Sequence, residues 1–213
     1  MSGGETRPSQ WQCLCADFDR YLELRPGWPH PSWLTRLKGA VSEEPFWVIF
    51  WYRFGRWATI ECHVPVVKQL CLLLYTVMFR LLRLLTGISI SRQCDAGPGL
   101  HFGHFGSVWI NPAVRLGHHV SVAQGVTLGL GGNGRMRGVP EIGNHVFIGP
   151  NVTIVSKVRV GNGCVIGANS LVVTDVPDNR SVVGVPARVL AFGVSSTPPP
   201  ASDAALAGTP DQP

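Results

Sequence analysis

The sequence predicts a mainly β protein: a left-handed parallel β-helix of hexapeptide repeats with an N-terminal α-helical region. Ile110, Leu116, Val122 and Leu128 are spaced six apart, and after a gap of 14 the series resumes at Ile142, Ile148, Ile154, Val160, Ile166 and Val172. A second series runs four positions behind it, through Val114, Val120, Val126, Val146, Val152, Val158, Cys164, Ser170 and Val176. Glycine often follows the first series, at Gly117, Gly129, Gly143, Gly149, Gly161 and Gly167. A period of six fits neither the turn of a helix nor the alternation of a simple strand. It marks short strands meeting at tight turns, each flat face sending one branched aliphatic inward. Three such faces make a triangular coil of about 18 residues, and coils stack by backbone hydrogen bonds.

Composition divides the chain into three regions. Residues 1–87 hold six of the seven tryptophans and form the predicted helical, aromatic-rich region. Within it an apolar segment begins at residues 44–54, and a second spans 66–85 with Lys68, Arg80 and Arg83 inside it. Its uncharged stretch, residues 70–79, is too short to span a bilayer. Two readings stay open for it: a basic, leucine-rich helix lying in the membrane interface, or a cap packed on the β-helix or on neighbouring subunits. Residues 88–192 carry the repeat. The gap between Leu128 and Ile142 holds eight residues beyond one hexad, glycine-rich and carrying Arg135 and Arg137. Such a segment cannot enter the prism, so it must project from a corner, where long loops tend to be functional. Residues 193–213 hold several prolines and little apolar content, predicting a disordered tail.

The net charge of +5 favours anionic ligands or an anionic surface, but no Lys/Arg run suggests a nucleic-acid binder. Six cysteines show no CxxC pair and no zinc spacing, and they read as reduced thiols in a cytosolic protein, with Cys164 on a core position. The first residues lack the basic-then-apolar layout of an export signal. Seven histidines follow no recognisable ligand pattern, so no metal site is expected. His118 and His119 are expected at a turn and His145 in solvent. His104 stands out: it lies six before Ile110, on a core-series register position, yet it is polar, and Gly103 and Gly106 leave room beside it. Histidine suits the removal of a hydroxyl proton near neutral pH.

Several separated motifs resemble one family. The run Gly99-Leu100-His101-Phe102-Gly103-His104-Phe105-Gly106 followed by Ile110-Asn111-Pro112 is similar to the active-site segment of serine acetyltransferases and their relatives. So are Gln124-Gly125-Val126-Thr127-Leu128-Gly129, Ile166-Gly167-Ala168-Asn169-Ser170 and Gly184-Val185-Pro186-Ala187-Arg188. The resemblance implies an O-acetyltransferase using acetyl-CoA without a metal, with His104 as catalytic base and direct attack on the thioester. It implies coenzyme A held along stacked corners by Gly131, Pro150 and Ala168, with Arg188 near the phosphates. His101 and Gly103 would line the acceptor pocket, and Asp95 is one guess for the group that orients His104. Homotrimers with active sites between subunits are also implied.

The departures bear on the acceptor. Serine-specific members carry an aspartate immediately before the catalytic histidine, where this chain has Gly103, and another fifteen residues earlier, where it has Ser89. Their Arg-His pair after the loop is Gly138-Val139 here. An amino-acid zwitterion would lose its charge partners at such a site. The sequence therefore points first to a sugar hydroxyl of a surface polysaccharide or lipid-linked glycan, with a cytoplasmic location at or near the membrane's inner face. Serine is the alternative acceptor, and a non-catalytic scaffold is the alternative class.

Overall fold

A computed structural model describes residues 8–24 and 44–190; the expected tail at 193–213 lies outside them. Three helices come first: α1 (Gln10–Glu23), α2 (Glu44–Ile60) and α3 (Pro65–Thr86). The apolar segments read from the sequence are α2 and α3. The sequence reading had no helix at α1, whose start is a capping box: Ser9 accepts from Gln12 N at 3.2 Å and Gln12 reaches back to Ser9 N at 2.9 Å.

Short strands follow in coils. The first is β1 (Ser89–Ile90), β2 (Asp95–Ala96) and β3 (His101–Phe102); the second is β4 (Trp109–Ile110), β5 (Arg115–Leu116) and β6 (Ser121–Val122). Then come β7 (Thr127–Gly129), β8 (Glu141–Ile142) and β9 (Phe147–Ile148), and β10 (Thr153–Val155), β11 (Arg159–Val160) and β12 (Val165–Ile166). The stack ends with β13 (Leu171–Val172), β14 (Ser181–Val183) and β15 (Arg188–Val189). They form three faces, β1-β4-β7-β10-β13, β2-β5-β8-β11 and β3-β6-β9-β12-β14-β15, parallel throughout except for the closing β14–β15 pair. This is the left-handed β-helix that the six-residue period predicts. Both apolar series point inward: Leu128, Val120, Val126, Ile154 and Ile166 are fully buried, and so is Cys164. The buried hydroxyl of Ser170 donates to Gly167 O at 2.6 Å, which explains how a polar side chain sits on an inward position. All six cysteines are free thiols.

The register corrects one expectation. Aligned residues advance 18 from Glu141 to Arg159 but 26 from Arg115 to Glu141, the excess being the projecting loop. From Asp95 to Arg115 they advance 20. Two extra residues therefore lie between Phe102 and Ile110, and the inward series upstream runs Ile90, Ala96, Phe102. Phe102 is fully buried while His104 is exposed. His104 is not on the inward register; it stands on an enlarged corner.

The helices close the open edge of the first coil with side chains where a further coil would have supplied backbone. Tyr21 Oη donates to Phe102 O and accepts from Phe102 N, both at 3.0 Å. Tyr52 Oη does the same between Cys94 O and Ala96 N, at 2.9 and 3.1 Å. Arg53 donates to Ala96 O and Gly97 O at 2.8 and 2.6 Å and forks onto Asp17 at 2.7 and 3.1 Å. Asp17 in turn accepts from Leu100 N at 2.8 Å. An unpaired strand edge is thereby satisfied group by group.

Helix α3 differs. Pro65 opens it and Gly87, at φ 71°, ends it in the left-handed conformation that glycine adopts freely. Val66, Leu70, Leu73, Val77, Leu84 and Leu85 make an apolar stripe exposed by 56–81%. The helix has 22 residues, about 33 Å, so by length and composition it is long enough to cross a bilayer, contrary to the expectation from its uncharged core alone.

Candidate active site on the outer groove

Parallel stacking brings the residue two beyond each strand of the third face to one corner. After β3 this is His104, after β6 Gln124, after β9 Pro150 and after β12 Ala168. Backbone bonds tie these turns together: Gly125 N to Gly106 O at 3.0 Å, Asn151 N to Gln124 O and Asn169 N to Pro150 O, both at 2.9 Å. The result is a continuous outer groove with the imidazole at its head. A cleft of about 290 Å³ opens there, lined by His101, Gly103, His104, Ser121, Gln124 and Pro150 among others.

The predicted pocket residues His101, Gly103 and His104 thus come together. His101 packs against the Tyr21 ring with centroids 4.5 Å apart. Burial first, then the charges of Arg20 and His104, lower its pKa to about 4, so it is neutral at physiological pH. Gly103 is open: a β-carbon there would meet only His101 Cε1, at 3.9 Å. Asp95 is elsewhere. It lies on β2, on the second face, where Arg56 Nη2 holds its carboxylate at 2.6 Å. The structure thus gives no support to Asp95 as the group that orients His104, because strands of different faces turn their outer side chains apart.

Of the expected coenzyme A contacts, Pro150 lines the cleft and Ala168 stands on the same corner one coil further on. Gly131 does not. It begins the projecting loop after β7, paired with Gly138 by two 3.0 Å backbone bonds and lying against Val155 and Ser156. That is the corner between the first and second faces. Arg188 is exposed on β15 at the end of the third face, its Nη1 donating only to Ala187 O at 3.0 Å among the described residues. Gly131 and Ala168 therefore stand on different corners, at the two edges of the first face.

Sequence reasoning missed Ser121. It stands between His101 and Phe147 in register on the outer surface of the third face. Its hydroxyl is buried, lines the cleft and finds no hydrogen-bond partner among the described residues. Nothing in its spacing sets it apart; only the strand register brings it beside His101.

Comparisons with known proteins agree with this fold. The model of the bacterial transferase hexapeptide (six repeats) family matches residues 140–174. A serine acetyltransferase of Synechococcus elongatus is 32% identical over 182 residues, covering 84% of this chain and 68% of that protein. The chain belongs to the serine acetyltransferase-like hexapeptide-repeat acyltransferases. Within this family a Staphylococcus xylosus serine acetyltransferase is 31% identical, over 63% of this chain and 62% of its own length. The Neisseria gonorrhoeae serine acetyltransferase structure superposes with a TM-score of 0.70 at 27% identity, over 87% of this chain and 68% of that one. A serine acetyltransferase solved in complex with CoA gives 0.67 at 26% identity, over 86% and 70%. The chain thus spans 60–70% of the length of these relatives.

Proposed function

We propose that this protein moves an acetyl group from acetyl-CoA to a hydroxyl, with His104 as general base. The hydroxyl oxygen bonds to the thioester carbonyl carbon and the carbon–sulfur bond breaks. His104 takes the hydroxyl proton and returns it to the departing thiolate. The observation that carries this reading is an exposed imidazole at the head of the Gln124–Pro150–Ala168 groove. Pantetheine amides would run along the backbone there, and Arg188 would meet phosphate at its far end. Gly131, on another corner, would join the same site if a second copy supplied it, as in a homotrimer with sites between subunits.

Serine is the first acceptor to test, because the relatives carry its name. A second reading keeps a sugar hydroxyl, and two observations favour it. The described lining of the cleft contains no carboxylate for an ammonium group, with Gly103 beside His104. The exposed apolar stripe of α3, flanked by Arg80 and Arg83, suits an anionic membrane interface and hence a lipid-linked acceptor. The experiment is thiol release from acetyl-CoA with serine, free sugars or lipid-linked glycans offered in turn. Turnover of serine selects the first reading and turnover of a glycan the second. No binding of coenzyme A at all would leave only a scaffold.

A further inference from the structure

Three histidines that the sequence scattered meet at one corner. His118 and His119 precede β6 and His145 precedes β9, so they belong to successive coils at the corner between the second and third faces. The groove of His104 lies at the opposite end of the same strands. His119 and His145 stack with centroids 4.9 Å apart and planes at 12°, and the His118 ring stands edge-on to both. Nδ1 of His118 and Nδ1 of His119 are 3.1 Å apart. One ligand nitrogen from each of the three rings lies within 4.8 Å of the others.

We propose that His118, His119 and His145 form a binding site for a borderline divalent cation, Zn²⁺ foremost, that clamps two successive coils. Tetrahedral zinc with bonds near 2.05 Å separates two imidazole nitrogens by about 3.3 Å, which matches the spacing of the His118–His119 pair. The His145 ring is exposed and offers a nitrogen within 4.8 Å of both. Three nitrogens leave a fourth position for water. Turn geometry does not require imidazoles here. His119 and His145 hold φ of 56° and 55°, and the equivalent turns on the next two coils have Gly163 and Asn179. The corner would fold equally well with asparagine.

That equivalence gives a clean test. Untagged full-length protein, stripped with chelator, is titrated calorimetrically with ZnCl₂, alongside His118→Asn, His145→Asn and a His63→Asn control. The expected result is one Zn²⁺ per chain with micromolar affinity, weakened at least tenfold in either corner variant and unchanged in the control. Zinc should also raise the melting temperature of the wild type and not of the corner variants. Retention of zinc by both corner variants, equal loss in the His63→Asn control, or less than a tenth of an equivalent bound by the wild type would overturn the assignment. Circular dichroism of each variant guards against simple misfolding, since asparagine preserves the turn.

Discussion

Asp17→Asn should destabilise the protein severely although Asp17 touches no ligand. Asp17 is fully buried and Arg53 is 1% exposed, so the pair is sealed from water. The carboxylate accepts two bonds from Arg53 and one from Leu100 N. Removing its charge strands a guanidinium in the interior, for which breaking a buried pair costs about 3–5 kcal/mol. Arg53 keeps its bonds to Ala96 O and Gly97 O, which argues for the lower end, ~3 kcal/mol. For a domain of this size that corresponds to a fall in melting temperature of roughly 6–12 °C. Melts followed by circular dichroism at one fixed protein concentration measure it, since an oligomer's melting point depends on concentration. Two comparisons sharpen the reading. Asp17→Leu combined with Arg53→Met removes both buried charges but leaves Ala96 O, Gly97 O and Leu100 N without partners, so it should not restore wild-type stability. Glu23→Gln, which breaks the exposed Arg20–Glu23 pair at 3.2 Å, should cost less than about 0.5 kcal/mol. If Asp17→Asn melted within 2 °C of wild type, the idea that these side chains finish the strand edge would be refuted.

Further outcomes follow from the same structure. His101 has a folded pKa near 4, below its unfolded value of 6.5, so the unfolded chain binds its proton first. Stability should be intact above pH 6.5, fall as pH drops toward 4 and level off below; His101→Gln should flatten that slope in melts across the range. Tyr21→Phe removes the hydroxyl that serves Phe102 N and O, leaving two buried groups unpaired. It should cost about 2 kcal/mol in denaturant unfolding. Gly103→Asp has space for its side chain and puts a carboxylate for an ammonium group beside His104, so serine turnover should rise at least tenfold, as read by thiol release. On the sugar reading, wild-type protein should co-sediment with vesicles containing anionic lipid, and Leu70→Glu/Leu73→Glu should abolish this.

The repeat was legible because its information is local. Each inward position of the prism takes one apolar side chain every sixth residue, and nothing but the chain's own register is needed to read it. His104 shows where that legibility stops. Its inward placement came from a wrong register, because a two-residue enlargement of the corner after Phe102 leaves no periodic trace when the shorter upstream series Ile90, Ala96, Phe102 goes unread. The edge caps were not legible either. Tyr21, Tyr52 and Arg53 look like ordinary members of amphipathic helices, and only their meeting with strands 42–81 residues away gives them acceptors. The histidine corner was hidden by the loop, which separates His118 from His145 in sequence while the coil stacks them in space.

The central claim is that the His104 imidazole removes the acceptor's proton beside a groove that holds coenzyme A independently of it. Single-turnover thiol release by His104→Ala, with coenzyme A affinity measured on the same sample, addresses it directly. The expected result is a rate lowered by about 10²–10⁴ with the coenzyme A dissociation constant unchanged within twofold. A rate within threefold of wild type, at equal coenzyme A affinity, would contradict the account.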